Sequence, residues 1–373
     1  MEKNYFNWNN ISFEDYEFDR LQFLAHIIDS DSTGIRYIND NLNYFKSLDE
    51  KLDNHLSKKN VSSCNMEMYN QQIYKNSIAS EHERNLKNIE FFQMVKSFSN
   101  KFEVIYNRKT KKIYEDLFYV YLPLTRFLYK QSMSERFHDS PIILGIQAMQ
   151  GCGKTTLCDI ISFLSKYYYD LNVSPLSIDD VYLTFHELNR VREEDSRFKF
   201  RCPPGTHDLN ICRDILEKVK NSKTNYDLPR YNKSACRGLG DRSDVGVYVF
   251  RPIDVLIFEG WFLGAEPLEE DLIEKFTQDE EILNFQKLIN RKLYDYLPIW
   301  KYVNYWMIIR PFKYEYCKKW KSEAGMKMND ETLQRFIQYS WDSLPPYLYF
   351  PIIEKNINPV FTLLLDLERN FHI

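Results

Sequence analysis

The stretch "ILGIQAMQGCGKTTLCDII", residues 143–161, restricts the possible folds more than any other part of the chain. An apolar β-branched run leads into a glycine-bearing turn and then into a helix-forming segment, the order strand, loop, helix. Ala148 to Thr155 keeps the A-x-x-x-x-G-K-T spacing of a phosphate-binding loop, with alanine where a first glycine is usual. Gly151 and Gly153 carry no Cβ, so successive backbone N–H groups can turn inward around an anion. Lys154 has the reach for β- and γ-phosphates, and the Thr155 hydroxyl can ligate Mg²⁺. The helix that starts there points its positive end at the same place. A methyl group at Ala148 is tolerated as long as φ stays negative. These residues predict that ATP with Mg²⁺ is held by Ala148, Gln150, Gly151, Cys152, Gly153, Lys154, Thr155 and Thr156.

From Pro141 onward, the runs "IILGI", "NVSPLSI", "DVLIFEG", "YVNYWMII" and "VFTLLLD" alternate with helical segments. That alternation predicts an α/β fold of the P-loop NTPase type, a mostly parallel sheet flanked by helices. Ligands of such sheets bind outside the carboxyl ends of the strands, where the glycine loop lies. Residues 1–135 read instead as an all-helical N-terminal region, and 136–373 as the nucleotide-binding domain. Ser12 and Asp15 suit a helix start, with Phe18, Leu21, Leu24 and Ile28 on one face. Further stripes follow at Ile35, Ile38, Leu42, Phe45, Leu52 and Leu56, then at Leu86, Ile89 and Val95, then at Ile113, Leu117 and Val120. Pro123 is expected to bend or end the last of these. The polar stretch between Lys58 and Ala79 reads as an exposed loop.

A nucleotide loop does not by itself name a reaction. A GTPase needs an N-K-x-D guanine-reading motif, and Asn232-Lys233-Ser234-Ala235 lacks the aspartate. A small-molecule kinase needs a carboxylate near the γ-phosphate, and "PLSIDDVYLT" places Asp179 and Asp180 at the carboxyl end of the second strand. One of them can take the proton of an attacking hydroxyl while the other faces away or toward Mg²⁺. "DVLIFEGW" puts Glu259 at the end of a third strand, suited to hold Mg²⁺ or its water, whereas Asp254 at the other end reads as structural. Asp208 follows a Pro-Gly turn and suits either a substrate contact or a cap on the helix "LNICRDILEKV". The basic loop "LPRYNKSACRGLGDR" suits an anionic acceptor or the transferring phosphoryl group.

The blocks "GIQAMQGCGKTTL", "SIDDVYLT", "PPGTHDL", "LPRYNKSACRGLGDR" and "DVLIFEGWFLG", in this order, resemble the D-glycerate 3-kinase family of P-loop kinases. That family stands with the uridine kinase, pantothenate kinase and phosphoribulokinase group, and the similarity runs from about Tyr119 to Ile373. The resemblance implies Asp179 as catalytic base with Lys154, and Tyr182 as its aromatic partner, with Val181 where phenylalanine is usual. It also implies Asp180, His207, Asp208, Lys233 and Arg242 on the acceptor side, Arg237 remaining surface, and D-glycerate phosphorylated to 3-phosphoglycerate. Relatives commonly show W-R where this chain has Trp320-Lys321, and a lysine cannot clamp a carboxylate bidentately as arginine does. Two other readings remain open: a kinase of the same fold acting on a nucleoside or pantothenate-type acceptor, or a nucleotide-dependent interaction protein.

Composition narrows the partners. A formal net charge of -4 and an isoelectric point near 6.1 argue against broad nucleic-acid binding. No run has the length of a membrane span, and the first ten residues lack the apolar core of a signal peptide. Seven cysteines without a C-x-x-C pair suit reduced thiols and a cytoplasmic location. With 27 Tyr and 26 Phe, aromatic rings are expected to dominate the packing.

Overall fold

Strand β1 (Ile142–Ala148) is buried at every position, which is why its sequence is a continuous apolar run without alternation. It lies between β7 (Val255–Gly260) and β8 (Tyr305–Pro311), parallel to both. The sheet is completed by β2 (Val173–Ser177) beyond β7, and by β9 (Phe361–Leu365) and β10 (Phe371–His372) beyond β8. Its order is β10-β9-β8-β1-β7-β2, and β10 alone runs antiparallel to its neighbour. The five parallel strands are the five quoted runs of the sequence. Pro175 is tolerated because β2 is the edge strand, where one row of N–H groups has no ladder partner to serve.

This is a computed structural model of the chain, and it describes residues 116, 120–134, 137, 140–323 and 330–372. The expected helix stripes before Val120 and the polar loop of 58–79 lie outside the described residues. The unit that contains the sheet takes in Leu124 onward, so helix α1 (Leu122–Ser132) largely belongs with it. The stripe that Pro123 was expected to bend or end lies mostly outside the described residues. Pro123 is the second residue of α1, directly after a π-helical turn at residues 120–121. Phe127 of α1 meets Tyr305 and Phe361 edge-on, at 5.2 and 5.0 Å, which seats α1 against β8 and β9.

Helix α2 (Lys154–Tyr169) follows β1, and a short 3-10 turn (Ile178–Val181) follows β2. Two helices come next, α3 (Phe185–Glu194) and α4 (Leu209–Lys220). Between α4 and β7 the chain forms two small antiparallel pairs, β3 (Tyr226–Leu228) with β6 (Val247–Val249) and β4 (Tyr231–Asn232) with β5 (Asp241–Arg242). Beyond β7 come α5 (Glu270–Phe276), α6 (Glu280–Lys292) and the short α7 (Leu297–Trp300). Helices α8 (Tyr316–Glu323), α9 (Asp330–Ser343) and α10 (Pro346–Ile357) link β8 to β9. The largest fully buried side chains include Trp320, Tyr296, Tyr349, Phe258, Phe262 and Phe361, so aromatic rings do form much of the core. Gly145 shows how tightly they fit: a Cβ there would stand 2.5 Å from the Trp306 ring. Among the described residues no helix is long and apolar enough to cross a membrane.

Candidate active site

The glycine loop joins β1 to α2. Gly151 and Gly153 take φ of +86 and +81, a left-handed conformation that only glycine enters without strain. Their surroundings differ. A Cβ at Gly151 would lie 2.7 Å from the Trp320 Cβ, whereas one at Gly153 would meet nothing within 4 Å. Gly153 caps α2 without any side-chain acceptor, so the first N–H groups of that helix have no intrahelical partner and face outward as donors. Lys154 folds back, donating from Nζ to the carbonyls of Ala148 at 2.8 Å and Met149 at 3.0 Å. Thr155 is exposed, Thr156 and Gln150 are partly covered, and the Cys152 thiol is buried, which leaves only the Cys152 backbone to the loop. Ala148 is fully buried at the end of β1 and has no positive φ.

The carboxyl end of β2 separates the paired aspartates. Ser177 caps the 3-10 turn: its Oγ accepts from the Asp179 N–H at 3.2 Å, while Asp180 Oδ2 accepts from the Ser177 N–H at 3.0 Å. Asp180 also meets Arg230 Nη1 at 3.3 Å. Its carboxylate therefore serves the backbone and Arg230, a different placement from the acceptor contact expected of it. Burial raises the Asp180 pKa, and the Arg230 charge works against that rise. Asp179 faces the other way and accepts from Lys233 Nζ at 2.5 Å. Burial works to raise the Asp179 pKa, but the Lys233 charge and hydrogen bond, with one from the Tyr182 hydroxyl, hold it well below the usual carboxylate range. Lys233 is 51% exposed along its side chain and turns only its ammonium end onto Asp179, whose charge raises the lysine pKa.

Glu259 pairs in register with Ile146 on β1 and Ser177 on β2, which sets it beside both loops. Its Oε2 is buried without a hydrogen-bond donor, 3.9 Å from Lys154 Nζ. Burial raises the Glu259 pKa, and Lys154 opposes that rise. An orphaned carboxylate oxygen at the strand end, with the Thr155 hydroxyl on the adjoining helix, fits a cation. Among the described residues no group of three His, Cys, Asp or Glu is gathered for a metal. Mg²⁺ takes one or two protein groups and fills its shell with phosphate oxygens and water, so Glu259 and Thr155 would suffice to hold it.

Tyr182 is buried and stacks on His207, ring centroids 4.4 Å apart, while their backbones form an isolated bridge. His207 Nδ1 stands 2.7 Å from the Tyr296 hydroxyl, which already accepts from the Gly205 N–H at 2.9 Å. A hydroxyl oxygen can accept twice, so either tautomer satisfies this contact, and His207 Nε2 is buried with no hydrogen-bond partner among the described residues. Burial pushes the His207 pKa down to about 3, so the ring is neutral. Asp208 does cap α4, accepting from the Ile211 N–H at 3.1 Å. Arg242 is held between Asp208 Oδ2 at 3.2 Å and the Tyr182 carbonyl at 3.1 Å. Asp254 is structural, accepting from the Asn172 N–H.

The structure adds residues that the sequence pattern did not single out. Arg201 is 4% exposed and donates to the carbonyls of Gly238 and Leu239 at 2.9 and 2.8 Å. Arg369 donates to the Gly151 carbonyl and to the Trp320 carbonyl, each at 3.1 Å, tying the glycine loop to α8. No local signal marks either one, because each is brought in from a remote turn.

No protein-family model matches the chain. It is 31% identical over 281 residues to the chloroplastic D-glycerate 3-kinase of Arabidopsis thaliana, a match covering 68% of this chain and 60% of that protein's length. A probable ATP-dependent kinase of Saccharomyces cerevisiae is 27% identical over 256 residues, covering 62% of this chain and 87% of the other. The solved D-glycerate 3-kinase of Cryptococcus neoformans superimposes with a TM-score of 0.57 at 26% identity, over 66% of this chain and 94% of that one. The chain resembles the D-glycerate 3-kinases. Together with the strand order, that similarity makes the sheet unit a P-loop kinase fold. The chain spans 60% of the plant relative's length.

Proposed function

We propose that the chain transfers the γ-phosphate of MgATP to a hydroxyl of a small anionic acceptor, D-glycerate giving 3-phosphoglycerate. The observation that carries this reading is Asp179: a carboxylate at the end of β2, freed from helix capping by Asp180 and kept ionised by Lys233. The loop amides and Lys154 hold the phosphates, and Thr155 and Glu259 hold Mg²⁺, which supplies charge neutralisation at the phosphates. Asp179 accepts the hydroxyl proton as the oxygen bonds to phosphorus and the bond to the β-phosphate oxygen breaks, releasing ADP. A weakly basic carboxylate suffices, because in a loose transition state the proton leaves late and positioning does most of the work. His207 is the further acceptor-side group, through its unpartnered Nε2.

The name of the plant and fungal relatives supports glycerate as the acceptor, and the cations around Asp179 support an anion rather than a nucleoside. The cytoplasmic location is supported by the free thiols of all six described cysteines. The test is a panel of hydroxyl acceptors with MgATP, followed by ADP release, on the wild type and Lys154→Ala. D-Glycerate should lead the panel, and Lys154→Ala should abolish turnover. Faster turnover of uridine or pantothenate would retain the kinase and discard this acceptor.

A further inference from the structure

Nothing in the chemistry of Gly151 fixes its own conformation. Glycine enters positive and negative φ about equally, so the φ of +86 at Gly151 has to be imposed by its surroundings. Trp320 of α8 is one restraint, its Cβ standing 2.7 Å from where a Cβ on Gly151 would lie. Arg369 is the second: its Nε donates to the Gly151 carbonyl at 3.1 Å. A planar trans peptide points its C=O and N–H in opposite directions. With the Gly151 carbonyl drawn toward Arg369, the Cys152 N–H of the same peptide turns into the loop, where its bond to the Met149 carbonyl is a long 3.4 Å.

Arg369 is itself firmly placed. It belongs to the turn between β9 and β10, which Asp366 organises by accepting from the N–H groups of Glu368 at 3.0 Å and Asn370 at 2.8 Å. The Asp366 carbonyl accepts from the Arg369 N–H at 3.0 Å. The Trp320 indole donates to the Leu367 carbonyl at 2.8 Å, and the Arg369 guanidinium lies 5.2 Å from the centre of the Trp320 ring. Arg369 takes φ +60, a left-handed conformation that a residue with a Cβ rarely adopts. Strained backbone of this kind persists where its surroundings over-determine it. A plain tie between this turn and α8 is already made by the Trp320 contacts. The bond to Gly151 adds nothing to that tie, and its effect falls on the loop.

We propose that Arg369 is a positioning residue for the nucleotide, acting through the backbone of the glycine loop. It keeps the Gly151–Cys152 peptide in the orientation that gathers the loop amides for phosphate. The inference rests on the reading of this loop as the nucleotide site and extends it to a residue 218 positions away. Without the guanidinium the peptide samples other orientations, and the apparent dissociation constant for nucleotide rises by the inverse of the fraction still competent. One charge-assisted hydrogen bond is enough to change that fraction about tenfold. Once nucleotide is bound the loop is the same in either protein, so the chemical step is untouched.

The test compares the full chain as wild type, Arg369→Met, Arg369→Lys and Tyr349→Phe. The last is a stability control that removes a buried hydrogen bond to Asn290, outside the site. MgADP binding is measured by titration calorimetry, and ATP kinetics with D-glycerate as acceptor. Arg369→Met should raise Kd for MgADP and KM for ATP roughly tenfold, with kcat within about twofold and KM for the acceptor unchanged. Arg369→Lys, which offers a single ammonium to the carbonyl, should lie between the two. Tyr349→Phe should lower Tm and leave both nucleotide constants as they are. An unchanged Kd for MgADP in Arg369→Met overturns the proposal, and if that variant does not fold, an unchanged Kd in Arg369→Lys does so. A loss of kcat at saturating ATP also overturns it, because the guanidinium then serves the transferring phosphoryl group. An equal rise of Kd in Tyr349→Phe overturns it as well, because the effect is then one of general stability. If the wild type binds MgADP but phosphorylates no acceptor, the hydroxy-acid reading fails and the binding comparison still decides Arg369. A wild type that binds no MgADP overturns both.

Discussion

Replacing Lys321 by methionine should make the free protein more stable. Methionine keeps the length and most of the volume of the buried stem and removes only the charge. The lysine pKa falls from 10.5 to about 8 in the folded chain because burial penalises the ammonium. Each unit of such a shift corresponds to about 1.36 kcal/mol, so the charged form carries on the order of 3 kcal/mol against folding at neutral pH. The Phe336 ring, 3.9 Å from the ammonium, returns roughly 1–2 kcal/mol through its face, and the net gain on substitution is about 1–2 kcal/mol. For a domain of this size that is a rise in Tm of about 2–8 °C. The sign with pH follows from proton counts: between the folded pKa of about 8 and the unfolded 10.5, the unfolded chain binds more protons. Wild-type stability therefore rises with pH in that window relative to the methionine variant. Thermal melts of both proteins without ligand, from pH 6 to pH 10, check this. A lower Tm for Lys321→Met, or a gap that does not narrow above pH 8, would refute the argument that burial penalises this ammonium.

Three further expectations concern the rest of the site. Asp179→Asn should lower kcat by roughly 10²–10⁴-fold with a small change in Tm, whereas Asp180→Ala should lower stability by about 0.5–2 kcal/mol through its lost cap contact and retain most of kcat. Equal kinetic losses in the two would end the division of labour drawn from the capping box. Gly153→Ala should cost about 1–2 kcal/mol for its left-handed φ alone, and Gly151→Ala clearly more, because its Cβ also collides with Trp320; denaturant unfolding curves check the order. Deleting residues 1–75 should leave nucleotide binding intact, since every residue named in the site lies beyond Leu124; loss of ATP binding in a soluble truncation contradicts it.

The parallel strands were legible because buried strands of an α/β sheet leave unbroken β-branched runs, and all five quoted runs became strands. The glycine loop was legible for the same local reason: spacing and residue type together define it. The short pairs β3 with β6 and β4 with β5 were not, because two or three residues give no periodicity and their partners lie far along the chain. Asp179 and Asp180 are indistinguishable as letters, and only the Ser177 cap assigns them different work. Lys321 stood out in the sequence as a departure from arginine, but its burial beside Phe336 depends on helices α8 and α9 meeting. Arg201 carried no signal at all. It sits in a run of charged residues that a sequence reading sends to solvent, and the fold buries it.

The Arg369 contact with the Gly151 carbonyl joins positions 218 residues apart, one in the first turn of the sheet unit and the other almost at its last strand. During synthesis the glycine loop leaves the ribosome long before the arginine that steadies it. The central strand β1 also waits for β7 and β8 before it has neighbours on both sides. Contacts so distant in sequence are slow to close, and the glycine loop depends on them for its final surroundings. A ligand that binds the finished loop and not the open chain adds its binding free energy to the stability of this unit.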